Sequence, residues 1–184
     1  MERRGWSRVL VAAIGLALLS SASNVTTVSQ LSGEADTLVA VRSTLSKLVN
    51  AGTVWAGLAV LSGWLVRRLA RAIAAGILAC LLALVAHYGL GSVLGLFGSD
   101  VWASNSVWFV AAVVLGGPLG LVGAIARRPD RWGLTARLLV PVGAVLEPLA
   151  LGMFTSPAIM PWPARVSSVV SGMILLGVGV WAAQ

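Results

Sequence analysis

Apolar runs of about 20 residues, the length that crosses a bilayer, recur along the chain, separated by Arg clusters or by Gly, Ser, Asp and Pro punctuation. They predict six helices, over residues 9–28, 48–66, 72–97, 106–126, 136–154 and 166–183. The expected architecture is an all-α polytopic transmembrane helix bundle, with residues 1–184 forming a single domain. The segment "SGEADTLVAVRSTLSKLVN" between the first two runs is the least hydrophobic part. Asp36 is placed to cap a helix there, with Leu38, Val39, Val41, Leu45, Leu48 and Val49 on one side and Arg42, Ser43 and Ser46 on another. It reads either as a helical lead-in to the second span or as an amphipathic helix lying on the membrane surface. The start, "MERRGWSRVLVAAIGLALLSSASN", also fits a secretory signal, with Ser20 and Ala22 where a cleavage site wants small residues, so removal of residues 1–22 is a second reading. Against it, the apolar character runs on through "VTTV".

Composition supports the bilayer. The chain is 58% hydrophobic and 10% charged, with a mean hydropathy of +0.94, whereas roughly a quarter of the residues of soluble domains are charged. A net charge of +7 and a pI near 11.5 would suggest nucleic acid in a soluble protein. Here the basic residues sit between apolar runs, without the interleaved aromatics of a single-strand binding groove, so no nucleic acid is expected. They set topology instead. Arg3, Arg4 and Arg8 precede the first run, Arg67, Arg68 and Arg71 join the second and third, and Arg127, Arg128, Arg131 and Arg137 join the fourth and fifth. In a six-span model these ten share one side, against Arg42, Lys47 and Arg165 on the other. The positive-inside rule then puts both termini in the cytoplasm and the chain in the inner (plasma) membrane. The acidic residues Glu34, Asp36 and Asp100 fall on the outer side. Trp6, Trp64, Trp132 and Trp181 fall at inner ends of runs and Trp102, Trp108 and Trp162 at outer ends, as headgroup-level rings should; Trp55, inside a run, is expected to pack between helices or face a cavity.

An ionisable or strongly polar side chain inside hydrocarbon is costly unless it faces the interior and finds a partner. Four such residues stand out: Asn50, His87, Tyr88 and Glu147. Glu147 lies near the middle of the fifth run, within "VPVGAVLEPLALG". Pro141 and Pro148 each remove a backbone amide from that helix, leaving the carbonyls of Arg137 and Ala144 open. A carboxyl beside free carbonyls can bind a cation, hold a proton or bond a neighbouring side chain, so Glu147 reads as a ligand or proton site or as a lock between helices. In the third run Ala83, His87, Gly91 and Gly95 stand four apart on one helix face, and Gly91 and Gly95 make a GxxxG pattern. His87 lies at a depth similar to Glu147, so the two are expected to meet.

The fourth run holds Gly116, Gly117 and Gly120 around Pro118, with Gly123 beyond. It resembles the broken helices of transporter sites and equally suits tight packing. No phosphate loop is present, since no Lys-Ser/Thr follows. Cys80 stands alone, which excludes an intrachain disulfide and, with a single histidine, leaves no metal site and no cofactor to expect. Ser62-Gly63 and Ser171-Gly172 lack the flanking pattern of an intramembrane serine protease, so an enzyme is not expected and no catalytic residue is assigned.

The order "LVNAGTVWAGLAVLSGWLVRR", "AAGILACLLALVAHYGLG", "VWFVAAVVLGGPLGLVGAIAR" and "LLVPVGAVLEPLA" resembles a family of small bacterial multi-span membrane proteins known only as a domain of unknown function. The shared landmarks fall on Asn50, Trp55, Gly63, Tyr88, Trp108, Gly117-Pro118, Gly120 and Glu147, over about residues 48–151. The resemblance implies a membrane location and an architecture, with no activity. In length and span count alone the chain is also similar to the substrate-capturing subunits of vitamin-importing ECF transporters. The expected function is a small solute or proton handled at an interior cluster of Glu147, His87, Tyr88 and Asn50. The alternative is a non-transporting scaffold, with a homo-oligomer or a membrane partner subunit beside the lipid bilayer as its company.

Overall fold

The computed structural model describes residues 2–25, 35–66, 68–155, 157 and 159–184, and the side chains of all of these but residues 2 and 3. Glu34, Arg67 and residues 26–28 of the first predicted span lie outside the described residues. Among the described residues every element is a helix: α1 Glu2–Asn24, α2 Asp36–Val49, α3 Gly52–Leu65, α4 Leu69–Val93, the short α5 Val101–Ser104, α6 Ser106–Ile125, α7 Arg131–Ala150 and α8 Trp162–Ala182. Among the described residues, six segments are long and apolar enough to cross a membrane: Arg4–Asn24, Asp36–Leu65, Leu69–Val93, Ser106–Ile125, Arg131–Ala150 and Trp162–Ala182. Their large side chains face outward, with Val11 71%, Val107 62% and Leu149 58% exposed. Apolar surface of that extent suits lipid rather than water.

The ends differ from the hydropathy runs for local reasons. The third span stops at Val93, not residue 97, because Gly95 takes a left-handed φ of +66° and its amide bonds the Ser92 carbonyl while that of Leu96 bonds Gly91. The fifth stops at Ala150, not 154, because Gly152 does the same at φ +60°, with Met153 bonding back to Pro148. These are glycine-terminated helix ends that satisfy the last free carbonyls. Gly95 is therefore a terminator and not a continuation of the face that carries His87 and Gly91.

Contacts group the residues into two compact units, Met1–Ser21 with Trp55–Arg137, and Ala22–Val54 with Leu138–Gln184. The core of the first is built from small side chains, among them Ala13, Ala59, Ala75 and Ala83, all fully buried. Trp55 packs against both of its apolar clusters. Helix α6 presents Ala112, Gly116, Gly120 and Gly123, spaced three or four apart, as its buried stripe. A Cβ on Gly120 would strike the backbone oxygen of Ala72 in α4, and one on Gly123 the Val60 oxygen in α3. The three backbones thus touch, the close approach that small residues allow between membrane helices. Pro118 sits inside an uninterrupted α6. No break accompanies the proline there, and Gly120 and Gly123 lie in close backbone approach. Helix α7 likewise runs unbroken through Pro141 and up to Pro148, which is buried.

In the second unit α2 packs along α8. Its inward stripe is Ala40, Thr44 and Lys47, while Leu38, Val41 and Leu45 are exposed. The apolar side of this amphipathic helix is turned out and the polar side in, as a lipid-facing helix requires. Asp36 is its first residue, with no side-chain cap bond at the preceding Ala35, and instead accepts the Trp162 indole N–H at 3.1 Å.

Outside the spans, Asp130 precedes α7 and accepts the Gly133 amide at 3.1 Å and a 2.6 Å ion pair from Arg128. The Gly133 amide, with Arg128 adding to it, holds the carboxyl below its ordinary value. A depressed folded value contributes stability that is present above the ordinary carboxylate range and lost as pH falls through the lowered one. Asp130→Ala is therefore expected to melt below the parent at neutral pH and to converge with it in strong acid, in thermal scans across pH.

Candidate functional site

One membrane-spanning segment is interrupted. Asp36–Leu65 is 30 residues long, about 45 Å of helix, and its 14-residue halves α2 and α3 part at Asn50 and Ala51. Asn50 ends α2, its amide and its side-chain Nδ2 both donating to the Ser46 carbonyl at 2.9 Å. The break strips α3 of partners for its first amides. Glu147 of α7 supplies them: the Gly52 amide donates to Oε1 at 2.6 Å, and the Thr53 amide to Oε2 at 2.8 Å. The Thr53 hydroxyl also donates to Oε2. Glu147 is thus an N-cap delivered from another helix, a carboxylate on the positive end of a half-helix. It stands three residues before the end of α7 rather than at mid-helix, and it is half-buried.

The other half-helix ends on a cation. Lys47, in the last turn of α2, donates to the Ser167 and Ser168 hydroxyls at 2.7 and 2.6 Å and to the Ala164 carbonyl at 3.1 Å. All three ammonium donors are engaged on α8. Opposite charges therefore flank the break, each on the helix end whose dipole it complements. Ser46 adds a bond to Asn24 at 2.6 Å, and Arg42 one to the Ser23 carbonyl at 3.3 Å. Sequence reading placed Lys47 in the outer charge count and missed its partners. The serines at 167, 168 and 171, one face of an otherwise apolar helix, were the available signal.

Of the four residues expected to form one cluster, two lie in each compact unit. His87 and Tyr88 belong to the first unit, Asn50 and Glu147 to the second, and each finds partners inside its own. His87 Nδ1 lies 3.1 Å from the Ser21 hydroxyl of α1, and its ring meets Tyr88 edge-on at 4.9 Å. Tyr88 joins Phe97, Trp102 and Phe109 in an aromatic group with centroids about 6 Å apart. Ser21 thus pairs His87 locally, and the first amides of the interrupted helix pair Glu147. The Ser62 and Ser171 hydroxyls donate to the carbonyls of Leu58 and Ser167, four residues back along their own helices. Among the described residues no three His, Cys, Asp or Glu side chains come together.

Six apolar helical segments among the described residues, with polar groups paired between them, define a multi-pass membrane protein. No family model, curated protein or solved structure matches the chain.

Proposed function

We propose that this protein handles a proton, or a small solute coupled to one, at the break between α2 and α3, with Glu147 as the proton acceptor. The observation that carries the reading is the Glu147 carboxylate seated on the two free amides of a membrane helix interrupted at its centre. As a carboxylate it accepts three hydrogen bonds there. Once protonated, it has an O–H to donate and gives up a share of the negative charge that held the α3 terminus. Proton uptake thus loosens α3 from α7, while Lys47 keeps α2 tied to α8. Interrupted helices with charged ends are where secondary transporters place substrates and coupling ions.

We place the protein in the plasma membrane with both termini cytoplasmic, on the ten-to-three distribution of its basic residues. A second reading, a scaffold whose Glu147 only locks helices, draws on the same carboxylate having both oxygens engaged.

Infrared difference spectra between high and low pH separate the two. The proton reading expects a protonated-carboxyl band that vanishes in Glu147→Gln, together with lower protection of the Gly52 and Thr53 amides in acid, measured against the intrinsic exchange rate at each pH. A high-versus-low-pH difference spectrum that is the same in the parent and in Glu147→Gln, with unchanged protection of the two amides, leaves the lock and sinks proton handling.

A further inference from the structure

Helix α8 has a second edge. Its Ala164, Ser167, Ser168 and Ser171 face turns to α2. At about 100° per residue, Arg165, Val166, Val169 and Val170 lie on the opposite side. There, with Trp162 and Phe154, they line an open cleft of about 350 Å³. That volume is at the small end of the range of ligand sites. The walls are apolar but for one group: Trp162 and Val166 are 44% and 43% exposed, and Phe154 is a further lining residue. Arg165 sits in the first turn of the span, and its guanidinium has no hydrogen-bond or ion-pair partner among the described residues. The nearby carboxylate of Asp36 is held by the Trp162 indole N–H.

A guanidinium within a membrane span is costly unless it reaches the interface or meets an anion. Three features converge on what that anion is. The first turn of a span, with a tryptophan beside it, is headgroup depth. The guanidinium fork matches two phosphate oxygens. The valines at 166, 169 and 170 run from Arg165 further into the span, where a hydrocarbon chain continues from a headgroup.

We propose that this cleft is a phospholipid site, in which the lipid phosphate rests on Arg165 and one acyl chain lies along Val166, Val169 and Val170 against Phe154. The site lies apart from the α2–α3 break, on the other face of α8, and does not depend on the proton reading. Phosphate and chain are both needed: a soluble anion lacks the apolar half, and a neutral diacylglycerol lacks the charge.

Native mass spectrometry of the full chain in a delipidating detergent tests it, with phosphatidylglycerol, diacylglycerol or inorganic phosphate added. One phosphatidylglycerol per protein is expected to be retained, with little diacylglycerol and no phosphate. Arg165→Gln should lower retention about ten-fold, the value of one charge-assisted contact near 1.4 kcal/mol, and Arg165→Lys should restore part of it. Val169→Trp, which fills the cleft and keeps the charge, should lower it as well, in protein whose elution profile matches the parent. The proposal is overturned if Arg165→Gln retains lipid like the parent, if diacylglycerol is retained equally, if phosphate alone binds as well, or if the parent is a dimer that excludes lipid and Val169→Trp makes it monomeric.

Discussion

Glu147→Ala is expected to destabilise the protein by on the order of 2–3 kcal/mol, because it removes the acceptor for the Gly52 amide, the Thr53 amide and the Thr53 hydroxyl at once. An unsatisfied donor in apolar surroundings costs about 1–3 kcal/mol, less where, as at half-buried Glu147 and exposed Gly52, some solvent or headgroup can reach it. Glu147→Gln keeps one acceptor oxygen and turns an N–H₂ toward donors on the other side, so about half the loss is expected. Thr53→Ala removes the hydroxyl and leaves both amides capped, for about 1 kcal/mol. The double variant Glu147→Ala/Thr53→Ala should cost little more than Glu147→Ala alone, since the hydroxyl has already lost its acceptor. Unfolding in mixed micelles measures the series. Additive losses in the double variant, or an alanine variant as stable as the parent, would show that the carboxylate does not cap α3.

The apolar runs exposed the spans because hydrocarbon thickness acts on every helix alike. Where they misled, a backbone feature had the last word. Gly95 and Gly152 stop helices whose apolar character runs on, since a left-handed residue decides a terminus whatever follows it. The break at Asn50 and Ala51 was written as "NAG", a cap residue followed by glycine, but hydropathy averaged it into the start of the second run. The oddity of Glu147 was legible and its partners were not. They are two main-chain amides and a hydroxyl, and every residue but proline carries the former. A search among side chains points instead at the sole histidine, which Ser21 holds. Lys47 was hidden by a different confusion: a charge at a span end reads as topology until the serine face of α8 is seen opposite it.

The glycines of α6 should give a graded response that separates packing from flexibility. Gly120→Ala places a methyl against the Ala72 backbone oxygen and the Gly76 Cα, neither of which can rotate away, so α4 and α6 must move apart. The expected loss is about 3 kcal/mol or more. Gly117→Ala meets only the Ile73 and Ile77 side chains, at 3.2 and 3.4 Å, and a rotamer adjustment should hold its cost to about 1 kcal/mol. Gly89→Ala has no atom within 4 Å of its new methyl and, by helix propensity alone, should gain up to about 1 kcal/mol. All three exchange one glycine for one alanine inside a helix of the same unit. If the glycines served a hinge at Pro118, Gly117 and Gly120, one and two residues from it on either side, would respond alike. If they serve backbone contact, only Gly120, which meets the α4 backbone and not its side chains, fails. Unfolding midpoints in micelles, with tryptophan fluorescence as the readout, decide between the two.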